Sequence, residues 1–166
     1  MGLVVVTGAP GSGKSTLARP LAAGLGWSLI EKDVIKEALG DALGEVDRDE
    51  QRRLSVASFE VIDALVPQLR DAVIEGNVYP GSGLARRLAS IHGVVEVFCR
   101  CPLERCQERF ASRKDRHRVH SGGSPSLEYF EQFAEPLGLA HVVDVATDRP
   151  VDVTDVVRQV RAALDR

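Results

Sequence analysis

Cysteine, asparagine, long apolar runs and net positive charge are all scarce in this chain, and each shortage closes off a class of protein. Three cysteines, Cys99, Cys101 and Cys106, crowd into one short stretch. An odd count without regular spacing is no disulfide framework, and no second cysteine pair or well-placed histidine completes a tetrahedral metal site. They read as small buried hydrophobes, with Cys99 and Cys101 two apart on a strand and facing one way. Asn77 is the only asparagine and is followed by valine, so the guanine-reading pattern N-K-x-D cannot be assembled. No apolar run approaches the roughly 18 residues that a membrane span needs. A net charge of −3 and a pI near 5.8 disfavour a broad nucleic-acid surface. What remains is 166 residues, 44% hydrophobic, without repeats or low-complexity linkers. That suits a single domain, 1–166, whose core needs no staples. With a strand and its following loop occupying the first residues, a cytoplasmic protein is expected.

The strongest positive signal is Gly8-Ala9-Pro10-Gly11-Ser12-Gly13-Lys14-Ser15, which fits G-x-x-x-x-G-K-[ST] at every fixed position. Leu3 to Val6 reads as a buried strand running in, and Thr16, Leu17, Leu21 and Leu25 as a helix running out, with Pro20 expected to bend it. Glycines let the chain curl until successive N–H groups point at an anion, and the helix start adds its positive dipole end. Lys14 can reach the β- and γ-phosphates of ATP, and the Ser15 hydroxyl can ligate Mg²⁺.

Strand-like and helix-like segments alternate along the rest of the chain, the pattern of a parallel sheet wrapped by helices on both faces. Further strands are expected at Trp27–Ile30, Ala72–Ile74, Gly93–Arg100 and Val142–Ala146. Between them lie a helix from Asp33 to Leu39 ended by Gly40, and a helical spacing of Leu54, Val61, Ile62, Leu65 and Leu69 with a kink at Pro67. A helix opened by Pro102 follows, and a last one carries a Val153, Val156, Val157, Val160 and Leu164 stripe.

In an open parallel sheet the ligand crevice lies beyond the carboxyl ends of the strands. Asp33, just past the second strand, can act there as a general base or simply cap the helix beginning at Val34. Glu75 ends the third strand, where a carboxylate can hold Mg²⁺ through water or serve only as a turn residue. From Arg100 to His120 seven lysines and arginines face three acids. Arg105, Arg109 and Arg113 align at i, i+4, i+8 on a helix whose buried side carries Leu103, Cys106 and Phe110. The polar stretch after it, about 113–125, suits a short cationic lid over a triphosphate, with Arg116 a further candidate. His117 and His120 lack a third metal ligand. Thr147-Asp148-Arg149-Pro150 follows the fifth strand and can wrap a purine or merely start the last helix.

With these residues assembled, the chain resembles the small P-loop kinases that phosphorylate metabolites or antibiotics, the gluconate kinase, shikimate kinase and chloramphenicol phosphotransferase group. Two stretches carry the resemblance: Thr7 through Ser15-Thr16-Leu17-Ala18 with the strand-ending Asp33, and Val97-Phe98 through Pro102-Leu103-Glu104-Arg105 to Arg113. The resemblance implies a three-layer α/β P-loop NTPase fold, related to the nucleoside monophosphate kinases, with a five-stranded parallel sheet in order 2-3-1-4-5 and an arginine-rich lid. It also implies that Gly8 to Thr16 grip Mg²⁺·ATP, Asp33 meets the acceptor hydroxyl, Arg109 and Arg113 meet phosphates, and Asp148, Arg149 and Pro150 hold adenine. Glu75 stands where many relatives carry aspartate. The expected activity is transfer of the γ-phosphoryl of ATP to a hydroxyl of a small molecule by a monomer or homodimer. A nucleoside or nucleotide kinase, a nucleotide-binding regulatory protein and a polynucleotide 5′-hydroxyl kinase are the alternatives. The acidic run from Asp41 to Glu50 speaks against the last.

Overall fold

Valine-rich stretches build the centre of the molecule because strands buried on both faces need apolar side chains at every position. In the computed structural model, which describes residues 2–44, 47–113, 117–120 and 125–165, Leu3–Thr7 (β1) is buried along its whole length. It is flanked by Ala72–Glu75 (β3) and Val94–Arg100 (β4), with Ser28–Glu31 (β2) and His141–Ala146 (β5) outside them. All pairings are parallel and the order is β2-β3-β1-β4-β5, as the resemblance implies.

Strand periodicity divides the core in two. Val4 and Val6, with Val73, Val95 and Val97, pack beneath Lys14–Leu25 (α1) and Val153–Leu164 (α7). Leu3, Val5 and Ile74 face the other way, onto Ile62 of Arg48–Leu65 (α3) and Leu84 and Leu88 of Gly83–Ala89 (α4). The remaining helices, Lys32–Leu43 (α2), Leu103–Ser112 (α5) and Leu127–Glu131 (α6), gather at the carboxyl end of the sheet. Helix α1 runs unbroken across Pro20.

Four expectations need correction. Gly40 does not end α2; the helix continues to Leu43 and Gly44 supplies the cap. Gly40 is glycine for another reason: a Cβ there would overlap Val119 Cγ1, and Val119 is fully buried on the 3₁₀ turn Arg118–His120. Helix α3 begins earlier than its apolar spacing suggests, because Asp47 and Glu50 form a reciprocal capping box; it ends in a 3₁₀ turn holding Pro67, and Val61 and Leu65 lie exposed. Pro102 occupies the cap position of α5. Because β4 stops at Arg100, Cys99 joins the core under α1 while Cys101 packs with Leu103 and Phe110. Among the described residues no histidine, cysteine or acid cluster could hold a metal, and no helix is long and apolar enough to cross a membrane.

Gly40→Ala therefore sets helix propensity, worth about 1 kcal/mol in its favour, against overpacking at a buried valine, worth about 1–3 kcal/mol. Overpacking wins, and thermal denaturation should show a melting point lower by about 2–4 °C. An unchanged or raised value would mean that the turn yields without cost.

Candidate active site

The loop between β1 and α1 is folded tightly around its own backbone. Gly11 has φ +80°, and a Cβ there would overlap the Cys106 carbonyl oxygen of α5. Gly13, at φ +96°, is the left-handed cap from which α1 starts; both positions exclude an ordinary side chain. The Ser12 N–H donates to the Ala9 carbonyl at 3.0 Å, and the Ser12 hydroxyl is buried with no hydrogen-bond partner. Lys14 is 6% exposed and its Nζ donates to the Ala9 carbonyl at 2.9 Å. Burial pushes its pKa down, while Glu75, Cys99 and Asp33 pull it back. An unpartnered buried hydroxyl and a buried ammonium hydrogen-bonded to a neutral carbonyl form a cradle whose groups fit a polyphosphate.

Glu75 lies beside this cradle because the register pairs it with Val6, one residue before the end of β1. It is 4% exposed. Burial raises its pKa, and Lys14 and the Ser15 hydroxyl oppose that. One hydroxyl and one carboxylate beside a phosphate cradle are the hard oxygen donors that Mg²⁺ takes, with water and phosphate completing its shell.

Asp33 faces the cradle across a cleft of about 890 Å³ that Gly13, Lys14, Ser15 and Glu75 also line. It is not the helix cap: α2 begins at Lys32, with Glu31 at the cap position, and Asp33 sits inside the first turn. Its side chain is half exposed and bonded to Lys32 Nζ at 3.0 Å. Desolvation pushes its pKa up, but Lys32, His120 and Lys14 together outweigh that and hold the carboxyl below its usual range. Asp33 is thus an ionised acceptor of hydrogen bonds, and a weak base.

The arginines divide. Arg113 lines the cleft and acts electrostatically on Lys14. Arg109 points instead to the loop after β5, donating to the Thr147 carbonyl at 3.1 Å and touching Cys101 Sγ. Arg105 is exposed and is not among the lining residues. Asp148, Arg149 and Pro150 do not line the cleft either; their loop lies behind the cradle, with Thr147 Cβ 3.8 Å from where a Gly13 Cβ would stand. Arg116 and most of the expected lid lie outside the described residues. Of its described residues, Arg118–His120 dock on α2: Arg118 bonds Asp41 and the Gly40 carbonyl, and Lys36 Nζ donates to the Val119 carbonyl at 2.8 Å. His120 contacts Glu37 at 3.1 Å. Burial and the neighbouring lysines lower the pKa of His120, against Asp33 and Glu37.

Several lining residues escaped the sequence reading. Lys36, Arg48, Phe59, Tyr79 and Tyr129 also line the cleft; Glu96, which does not line it, is fully buried and accepts from Thr7 Oγ1 at 2.5 Å and from the Leu137 N–H at 2.8 Å. For Lys36 there was a signal, its position one helical turn beyond Asp33.

A family model described as AAA domain matches residues 3–135. The chain is 30% identical to the cytidylate kinase of Ignicoccus hospitalis over 113 residues, 68% of this chain and 65% of that enzyme, so the match spans slightly less than two thirds of the relative. A solved structure from Chloroflexus aurantiacus j-10-fl superposes with TM-score 0.77 at 26% identity, covering 98% of this chain and 97% of that one. The gluconokinase from Sinorhizobium meliloti 1021 gives TM-score 0.58 at 22% identity with 99% and 92% coverage. Shikimate kinase from Acinetobacter baumannii in complex with shikimate gives 0.65 at 15% identity with 97% and 91% coverage. These last two likenesses concern the fold.

Proposed function

We propose that this chain, which belongs to the AAA domain family and has a P-loop kinase fold, transfers the γ-phosphoryl of ATP to a hydroxyl of a small molecule. The observation that carries this reading is the cleft itself, with the buried Lys14 ammonium and the Ser15–Glu75 pair on one wall and ionised Asp33 on the other. Gly8 to Thr16 hold the triphosphate and Lys14 draws charge from the β/γ bridge. Ser15 and Glu75 would hold Mg²⁺, which when bound neutralises charge on the β- and γ-oxygens. Asp33 accepts the hydrogen bond of the acceptor hydroxyl and turns its lone pair toward phosphorus. As the new O–P bond forms and the β/γ bridge breaks, the hydroxyl proton passes to Asp33 or to water. A weak base suffices, because a loose phosphoryl-transfer transition state needs little prior deprotonation. Arg113 faces the phosphoryl group in flight; Arg109, held by Thr147, fixes the loop where Asp148, Arg149 and Pro150 meet the base. Alignment and preorganised positive charge supply most of the rate.

Identity with a cytidylate kinase favours a second reading, in which the acceptor is a nucleoside monophosphate. Release of ADP from Mg²⁺·ATP in the presence of sugars, sugar acids, nucleosides, nucleoside monophosphates, aminoglycosides and chloramphenicol-like alcohols separates the two. Acceleration by a hydroxyl acceptor is expected; acceleration by CMP alone would move the chain to the nucleotide kinases, and turnover that no compound accelerates would sink both readings.

A further inference from the structure

His117 immediately precedes the docked 3₁₀ turn and His120 ends it, and both line the cleft, but their ring nitrogens are engaged differently. His117 uses both: Nε2 contacts Asp41 at 3.1 Å and Nδ1 accepts from the Val119 N–H at 3.4 Å. His120 uses one. Its Nε2 contacts Glu37 Oε1 at 3.1 Å, and among the described residues its Nδ1 has no hydrogen-bond partner. A carboxylate can only accept, so Nε2 carries the proton of that contact and the neutral ring keeps its lone pair on Nδ1. A carboxylate behind one imidazole nitrogen and an unclaimed lone pair on the other is the arrangement of a general base.

Placement sets this pair beside the proposed acceptor hydroxyl. Glu37 follows Asp33 by four residues on α2, so the two carboxylates emerge from the same face about 5–6 Å apart, and Asp33 and the ring held by Glu37 shift each other's pKa. Asp33 needs such a neighbour. Held below the usual carboxyl range, it can orient a hydroxyl but is a poor keeper of its proton at neutral pH. Lys36 cannot take that proton: burial and Lys32 push its pKa down only to about 8, so at pH 7 it already holds one. His120 can. Burial lowers its pKa, Lys36 and Lys32 of α2 add to the fall, and Asp33 and Glu37 oppose it. Arg48 and Arg52 of α3 and Arg113 line the same cleft and, as cations, push as the lysines do, while Arg118 on its own turn is tied to Asp41. The ring is therefore uncharged at neutral pH.

Resting on the phosphotransferase reading above, we infer that His120, oriented by Glu37, is the residue that takes the acceptor's proton from Asp33. As the acceptor oxygen bonds to phosphorus and the β/γ bridge breaks, its electron pair leaving on the ADP oxygen, the hydroxyl proton passes to the Asp33 carboxylate and on to His120 Nδ1, directly or through one water. Glu37 balances the imidazolium so formed, which returns the proton to solvent before the next turnover.

The test is the pH dependence of kcat for ADP release, measured with the acceptor from the panel above that accelerates it most, in the wild-type chain, His120→Gln, Glu37→Gln and His117→Gln. Because the ring must be neutral to accept, the wild-type kcat should fall as pH drops through the His120 pKa, below histidine's ordinary 6.5. His120→Gln should abolish that limb and lower kcat above it by about tenfold to a hundredfold, less than general bases usually supply, since a loose transition state needs little prior deprotonation. Glu37 raises the His120 pKa, so Glu37→Gln should move the limb to more acid pH; His117→Gln should leave it in place. All four proteins should keep the melting-point rise that Mg²⁺·ATP produces. In the free protein, the ring resonances that His120→Gln removes should titrate below 6.5 and move further down in Glu37→Gln, a readout that stands even if His120→Gln folds poorly. A wild-type profile without the limb, a limb or a kcat that His120→Gln leaves unchanged, or a limb and a ring titration that ignore Glu37→Gln would overturn the inference and leave the phosphotransferase reading standing. Failure of every acceptor to accelerate ADP release would instead remove that reading, and this inference with it.

Discussion

Lys14→Met should lower phosphoryl transfer by about three orders of magnitude or more while leaving the free protein nearly as stable as the wild type. The activity loss follows from position. Lys14 is the first residue of α1, buried in the cradle, and a preorganised cation in a site closed to water is worth far more than on a surface. The stability side has two opposing parts. Burial costs the ammonium enough to lower its pKa, so the unfolded chain holds that proton more firmly than the folded one, and removing the charge relieves a penalty at neutral pH. Against this, Glu75 loses the cation that holds down a pKa already raised by burial; taking up a proton limits that loss. Nucleotide linkage gives the sharper readout. Mg²⁺·ATP at a hundredfold excess over Kd should stabilise the wild-type chain by about 2.7 kcal/mol, a melting-point rise of about 5–10 °C, and most of that rise should vanish in the variant. Wild-type turnover, or an undiminished rise, would show that the cradle does not receive the triphosphate.

The cradle was readable because it is local. Its glycines, lysine and serine are consecutive, and their spacing alone specifies amides aimed at an anion. The sheet was readable through valine-rich runs, and its order through the resemblance. Misreadings arose where a residue answers to a partner distant in sequence. Gly40 looks like a helix stop and is a point of close approach for Val119, across 79 positions of chain. Cys99 and Cys101 look like one face of a strand that in fact stops between them. Arg109, whose helix face suggests a phosphate ligand, also bonds the Thr147 carbonyl, a partner 38 positions away that its spacing does not announce. The acceptor wall was least legible. It is assembled from α2, α3, the Asn77–Tyr79 segment, the docked 3₁₀ turn and α6, none of which carries a spacing that announces the others.

For Asp33→Asn, transfer should fall by about two to four orders of magnitude with nucleotide binding intact, and the contrast with its effect on stability decides what Asp33 does. As a structural residue it is nearly dispensable. It is not the cap of α2, and its Lys32 contact joins a lysine that is 12% exposed to a carboxylate that is 53% exposed, a pair worth at most about 1 kcal/mol. Its place in the first turn, near the positive end of the helix dipole, adds about 0.3–1 kcal/mol. A catalytic loss of even two orders is about 2.7 kcal/mol of barrier, more than either contribution. The amide keeps the shape and can still accept through its oxygen, but it cannot take the hydroxyl proton and carries no charge to orient it. The pH profile supplies an independent check. Because Lys32, His120 and Lys14 hold the carboxyl below its usual range, the wild-type rate should show no acid-side fall assignable to Asp33 between about pH 5 and 8; that fall belongs at more acid pH, where the proton finally binds. Should the variant transfer at the wild-type rate, or lose stability in proportion to activity, Asp33 would be no more than a charge at the start of a helix.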